Sequence, residues 1–199
     1  MIDDLLRTRF KTPVDRAGVW LARRGVGAVG MSSIGFAFGI AGCLAMANES
    51  YLLALVFLIL NRAADLFDGA IARATRVTDF GGFVDILFDL LIYSGYVLAF
   101  AIGRPENAIP AAVLIYTFLA TGTSFLAAAN IAAKRGITRE PPSRKSFFYK
   151  AALVEGVEST VYLIVICLLP DHFAIITYGF AAVSWISVAG HFLWARRFH

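Results

Sequence analysis

The chain has 199 residues, a net charge of +4, 59% hydrophobic residues and only 16% charged ones, with a mean hydropathy of +0.72. A water-soluble domain of this length would show more polar surface, so lipid must cover much of the exterior. The positive charge does not point to nucleic acid, because no basic stretch is interleaved with stacking aromatics.

From the N-terminus, residues 1–25 (MIDDLLRTRFKTPVDRAGVWLARRG) alternate charge with apolar side chains and lack the apolar run of a cleavable signal. Leu5, Leu6, Phe10, Val14, Val19, Trp20 and Leu21 predict an amphipathic helix on the membrane surface, interrupted at Pro13. Residues 26–199 follow as a six-helix bundle, so that residues 1–199 form one all-α integral membrane domain. The six transmembrane helices are expected at 27–47, 51–74, 80–102, 108–133, 150–169 and 173–195. Each is long enough for a hydrocarbon core of about 30 Å. Turn-forming stretches separate them: ANESY, RATRVTD, GRPENAIP, KRGITREPPSRKSF and LPDH. Cys43 and Cys167 fall in apolar runs without a Cys-x-x-Cys pattern, and read as reduced packing residues.

Charge sets the orientation. Arg7, Arg9, Lys11, Arg16, Arg23 and Arg24 precede the first span, and Arg73 and Arg76 follow the second. Lys134, Arg135, Arg139, Arg144, Lys145 and Lys150 lie between the fourth and fifth, and Arg196 and Arg197 close the chain. The opposite side holds Arg104. The positive-inside rule therefore predicts a multi-pass protein with both termini on the cytoplasmic side.

Against this apolar background stand Asp65, Asp68, Asp85 and Asp89. At 1.5 Å per residue, Asp65 and Asp68 lie about 12 and 8 Å inside the end of the second span. Asp85 and Asp89 lie about 8 and 14 Å inside the start of the third. Spacings of three and four put each pair on one helix face, and a short reversal lets the faces meet. An aspartate near a span's centre costs roughly 2.5–3.5 kcal/mol, and four also repel one another. Protonation or bound cations would relieve that cost. An oxygen-only donor set favours Mg²⁺, Mn²⁺ or Ca²⁺, and Mg²⁺ in turn implies a phosphate-bearing substrate. The alternative is a set of structural salt bridges to Arg62, Arg73 and Arg76. Gly69, Ala70, Ala72, Ala74, Gly81 and Gly82 permit close approach of a ligand, or of another helix.

The stretch DLFDGAIARATRVTDFGGFVDILFD resembles the signature of the CDP-alcohol phosphotransferases, Asp-x2-Asp-Gly-x2-Ala-Arg followed by Gly-x3-Asp-x3-Asp. The matching residues are Asp65, Asp68, Gly69, Ala72, Arg73, Gly81, Asp85 and Asp89; seven residues separate Arg73 from Gly81, where the usual form has eight or more. The wider run TDFGGFVDILFD, with KSFFY and EGVES, is most similar to a bacterial inner-membrane branch of that family.

The resemblance implies a phospholipid-biosynthetic transferase with its active site at the cytoplasmic face. It would move the phosphatidyl group of CDP-diacylglycerol to an alcohol acceptor and release CMP. It implies Asp65, Asp68, Asp85 and Asp89 as ligands of one or two Mg²⁺ or Mn²⁺ ions, with Asp89 also the catalytic base. Gly69, Ala72, Arg73 and Gly81 would bind the nucleotide and its pyrophosphate. The implied partners are CDP-diacylglycerol, an alcohol acceptor, the lipid bilayer and a second copy of the chain in a homodimer, with no nucleic acid.

The basic loop suits glycerol 3-phosphate as acceptor, with phosphatidylglycerol, giving cardiolipin, as the alternative. Lys134, Arg135, Arg144 and Lys145 would bind an anionic acceptor or touch anionic lipid headgroups. Glu155 and Glu158 share a helix face and would line the acceptor cavity or pair with Arg62. Outside this class of reaction, a proton- or cation-coupled transporter would also line a path with these four aspartates, and is expected to show inverted repeats and broken helices. A membrane prenyltransferase would need two separated Asp-rich loops and more spans.

Overall fold

A computed structural model of the chain describes residues 2–136 and 156–198. Among them the secondary structure is entirely helical. The α-helices are α1 (Ile2–Arg23), α2 (Ala28–Ala47), α3 (Tyr51–Ala74), α4 (Asp79–Gly103), α5 (Ala108–Lys134), α6 (Gly156–Leu168) and α7 (Phe173–Ala195). Short 3₁₀ turns at Pro105–Asn107 and Pro170–His172 introduce α5 and α7, each with its proline at the start, where a missing N–H costs no helical bond. A third 3₁₀ turn, Arg196–Phe198, follows α7.

Helix positions agree with the hydropathy pattern to within a residue for the first four expected spans and the last. The expected fifth span begins in residues outside those described, and α6 carries its remainder. Two expectations change. Helix α1 runs through Pro13 without a break. Among the described residues, four helical segments are long and apolar enough to cross a membrane, so the count of six is not confirmed: Ala28–Ala47, Asp79–Gly103, Pro105–Lys134 and Pro170–Phe198. Helix α3 has the length, at 24 residues, but Arg62, Asp65, Asp68 and Arg73 make its second half polar. The described part of α6 is 13 residues long, short of a span.

Glycines on α2 decide how the first helices meet. Gly35, Gly39 and Gly42 are all buried on that helix. A Cβ at Gly35 would come within 2.9 Å of the Ala64 Cβ on α3. Side chains from α4 fill the other two gaps, Ile92 at Gly39 and Tyr96 at Gly42. Small residues at this spacing let three backbones approach closely, which matters where lipid offers no hydrophobic driving force between helices. Tyr96, fully buried, donates from its hydroxyl to the Ala54 carbonyl of α3 at 2.9 Å. Farther along, Phe100 of α4 stacks on Phe173 of α7 with ring centroids 3.8 Å apart. The Tyr162 and Thr177 hydroxyls, 2.8 Å apart, join α6 to α7.

At the end of the bundle remote from the aspartates, Arg104 gathers three connections. It donates to Glu49 at 3.0 Å and to Asp171 at 2.7 Å. The hydrogen bond to Asp171 and then that to Glu49 hold its guanidinium more firmly protonated than an ordinary arginine. The α2–α3, α4–α5 and α6–α7 turns are thereby tied together.

Helix α1 lies along α3. A Cβ placed on Gly18 would sit 2.5 Å from the Ala70 Cβ and 2.7 Å from its backbone carbon. A Gly18→Leu substitution is therefore expected to push α1 from α3 and destabilise the fold by about 1–3 kcal/mol. A fall in thermal midpoint of the detergent-solubilised protein checks it; an unchanged midpoint would mean that α1 contributes no packing there.

Candidate metal and phosphate site

The site forms where α3 and α4 face each other beside α2. Helix α4 starts with a well-defined cap: Thr78 has extended backbone and its Oγ1 accepts from the Gly81 N–H at 3.0 Å. Asp79 in the first turn suits the positive end of the helix dipole. This fixes the phase of α4, and with it the direction of Asp85 and Asp89. Gly81 thus sits in the first turn as the recipient of the cap.

Asp65, Asp68 and Asp85 converge, each offering a carboxylate oxygen such that the three atoms lie within 4.8 Å of one another. Asp68 is buried, Asp65 half-buried and Asp85 exposed, so the cluster opens at one side. At that separation two ionised carboxylates repel by about 3–4 kcal/mol for an effective dielectric of about 20. Solvent screens the pairs that involve the exposed Asp85; between Asp65 and Asp68, protons or a bound cation would relieve the repulsion. The donor set is all oxygen, and its spacing fits a hard divalent ion held by carboxylates, with remaining positions left for water and phosphate.

Asp89 lines the same cleft but has a different neighbour. Arg62, one turn before Asp65, donates to Asp89 Oδ1 at 2.6 Å. Its other nitrogens donate to Asn61 Oδ1 and to the Tyr93 hydroxyl, both at 2.8 Å, and Asp65 lies 3.7 Å away. The Tyr93 hydroxyl in turn lies 3.1 Å from Asp89 Oδ2 and 3.3 Å from the Gly156 carbonyl of α6. The salt-bridge alternative is therefore realised closely at Asp89, at 2.6 Å, and more loosely at Asp65, at 3.7 Å, which also belongs to the cluster with Asp68 and Asp85.

Gly69 and Ala72 follow Asp68 on α3 but do not line the cleft that holds the four aspartates, and Arg73 sits at the exposed end of that helix. A Cβ on Gly69 would meet the Arg73 guanidinium at 3.3 Å. Arg73 donates to Asp15 of α1 at 2.7 and 3.2 Å, an exposed pair that an incoming phosphate can displace at little cost. Lys134 and Arg135 end α5, and Arg135 donates to the Phe198 carbonyl at 2.9 Å and lies over its ring. Glu158 is half-buried in the first turn of α6. Arg144, Lys145 and Glu155 lie outside the described residues.

Sequence reasoning missed Ser32, Asn61 and Tyr93. Ser32 on α2 donates to Asp68 Oδ2 at 2.6 Å, and Asn61 donates to the Gly35 carbonyl at 2.9 Å while accepting from Arg62. One signal was legible: Asn61 and Arg62 open the polar face of α3, and Tyr93 stands four residues after Asp89 on α4. Ser32 had no such signal, because its partner lies 36 residues away.

Comparison with known proteins agrees with the geometry. The family model for CDP-alcohol phosphatidyltransferase matches residues 28–193, and the chain belongs to that family, whose reaction passes a phosphatidyl group from a CDP-alcohol to an acceptor. It is 38% identical over 188 residues to inner membrane protein YnjF of Escherichia coli (strain K12), covering 94% of this chain and 91% of the relative. It is 32% identical over 99 residues to archaetidylinositol phosphate synthase of Pyrococcus horikoshii, covering 49% of this chain and 53% of that protein. No solved structure matches significantly.

Partners that orient a metal ligand typically change affinity by about 10–100-fold when removed. Ser32→Ala is accordingly expected to weaken Mn²⁺ binding by roughly tenfold, read by electron paramagnetic resonance. Unchanged affinity would mean that Asp68 needs no help from α2.

Proposed function

We propose that the protein is a phosphatidyltransferase of the cytoplasmic membrane that uses CDP-diacylglycerol as donor and glycerol 3-phosphate as acceptor. The observation that carries this reading is the convergence of Asp65, Asp68 and Asp85 across two helices, at positions of the signature that the family resemblance rests on. These three carboxylates would hold one or two Mg²⁺ or Mn²⁺ ions. A divalent ion bound there neutralises the diphosphate and the charge that develops on the leaving phosphate.

The chain's own residues then divide the work. Gly69 and Ala72 leave room for the nucleotide along α3, and Arg73 exchanges Asp15 for phosphate oxygens, where its fork suits bidentate contact. Gly81 keeps the start of α4 clear beside them. The acceptor hydroxyl attacks the β-phosphorus; its oxygen forms the new bond to phosphorus as the bond to the bridging oxygen breaks. CMP leaves with that electron pair, and Asp89 takes the hydroxyl proton, as a carboxylate within hydrogen-bond reach can.

The acceptor end is read from charge. Lys134 and Arg135, with Arg144 and Lys145 of the following segment, suit an anionic acceptor, and Glu155 and Glu158 suit its hydroxyls. A relative named for an archaetidylinositol phosphate product supports a phosphorylated polyol at this position. This reading keeps six spans, with α3 crossing the membrane and its polar half facing the cleft. The distribution of basic residues then sets both termini and the cleft on the cytoplasmic side. The similarity to an inner membrane protein supports that location, and exposed Val19 and Trp20 suit α1 to the headgroup layer. As in the family resemblance, the working unit is a homodimer.

Purified protein in mixed micelles with Mn²⁺ is expected to release CMP from CDP-diacylglycerol when glycerol 3-phosphate is added, and less with inositol phosphate or phosphatidylglycerol. No release with any acceptor, alongside cation flux in liposomes, would favour a transporter. Asp89→Asn is expected to lower kcat by about 10²–10⁴-fold while CDP-diacylglycerol binding survives. Equal loss of binding and turnover would make Asp89 a metal ligand first.

A further inference from the structure

Arg62 is a cation that lines the carboxylate cleft, and the signature residues do not include it. Its side chain is only 17% exposed, so its charge is largely withdrawn from water and must be matched. All three of its nitrogens are used: Nε on Asn61, Nη1 on Tyr93 and Nη2 on Asp89, with Nη1 also 3.7 Å from Asp65 Oδ2. Asn61 is itself anchored to the Gly35 carbonyl, and the single hydroxyl proton of Tyr93 has Asp89 Oδ2, at 3.1 Å, as the nearer of its two acceptors. The guanidinium is therefore referenced to α2 and α4 as well as to its own helix, an arrangement that fixes direction and not merely charge.

Asp89 lies one turn beyond Asp85 on α4, so any cation drawn to Asp85 also attracts Asp89. Arg62 and Tyr93 take one oxygen of Asp89 each. We infer that Arg62 is a positioning residue: with Tyr93 it keeps Asp89 apart from the metal-binding group of Asp65, Asp68 and Asp85, and turned to meet the acceptor hydroxyl. The part concerning the acceptor rests on the phosphatidyltransferase reading; the withholding of Asp89 from metal does not.

The test compares the wild type with Arg62→Gln, Arg62→Lys, Asp89→Asn and the Arg62→Gln/Asp89→Asn pair. Mn²⁺ binding is followed by electron paramagnetic resonance and CMP release by steady-state kinetics. Arg62→Gln frees Asp89 and is expected to bind Mn²⁺ several-fold more tightly; loss of the Arg62 charge beside Asp65 contributes part of that gain, and the larger part disappears in the Asp89→Asn background. Arg62→Lys keeps the charge and is expected to bind Mn²⁺ as the wild type does. For turnover, Arg62→Gln is expected to lose roughly tenfold or more in kcat with little change in KM for CDP-diacylglycerol, and Arg62→Lys to recover part of it.

Unchanged or weaker Mn²⁺ binding by Arg62→Gln overturns the inference, as does a gain that is undiminished without the Asp89 carboxylate. A joint change of kcat and KM with no rescue by lysine also overturns it, marking Arg62 as a purely structural residue. Should Arg62→Gln fail to fold, Tyr93→Phe removes the second grip alone. It is expected to raise Mn²⁺ affinity and lower kcat in the same directions, and no effect on either overturns the inference. A wild type that releases no CMP with any acceptor defeats the phosphatidyltransferase reading, while the Mn²⁺ series still decides whether Arg62 withholds Asp89.

Discussion

Mutual repulsion among carboxylates held inside a helical bundle is the constraint around which the rest of this protein is arranged. Asp65, Asp68 and Asp85 crowd their oxygens within 4.8 Å, with Asp68 buried, Asp65 half-buried and Asp85 at the open side. Helix packing gives no reason for such a cluster, and every unrelieved negative charge weakens the fold that holds it. A divalent ion held there would relieve the repulsion and at the same time create a place for a diphosphate. In the proposed function the cost of the cluster and its chemical use have one origin.

The surrounding structure maintains that crowding. Glycines along α2 bring α3 and α4 within reach of each other, and Ser32 on the same helix steadies Asp68. Thr78 caps α4 and fixes the rotation that aims Asp85 inward. Arg104, at the other end, links three turns through two exposed ion pairs. Within the cleft the four aspartates are not equivalent. Three face one another, while the fourth is matched by Arg62 and Tyr93.

Much of this was legible in the sequence. Helices α2, α3, α4, α5 and α7 follow the apolar runs because turn residues and charged clusters mark each end, and the intervals of three and four between aspartates already specify shared faces. What could not be read was set by contacts between distant segments. Gly35, Gly39 and Gly42 form a small-residue stripe whose meaning depends on Ile92 and Tyr96, more than 50 residues away. The choice of Asp89 as the partner of Arg62 is likewise a matter of helix rotation, which hydropathy does not encode. Pro13 misled for a local reason: a proline lowers helix stability without always ending a helix. The polar half of α3 shows the opposite effect, since Arg62, Asp65, Asp68 and Arg73 remove the hydropathy signal of a span.

Anomalous diffraction from crystals grown with Mn²⁺ tests the central claim most directly. The account predicts an anomalous peak at bonding distance from carboxylate oxygens of Asp65, Asp68 and Asp85, with Arg62 still against Asp89. Well-ordered density in which those three carboxylates point apart, with no peak between them at saturating Mn²⁺, would contradict it.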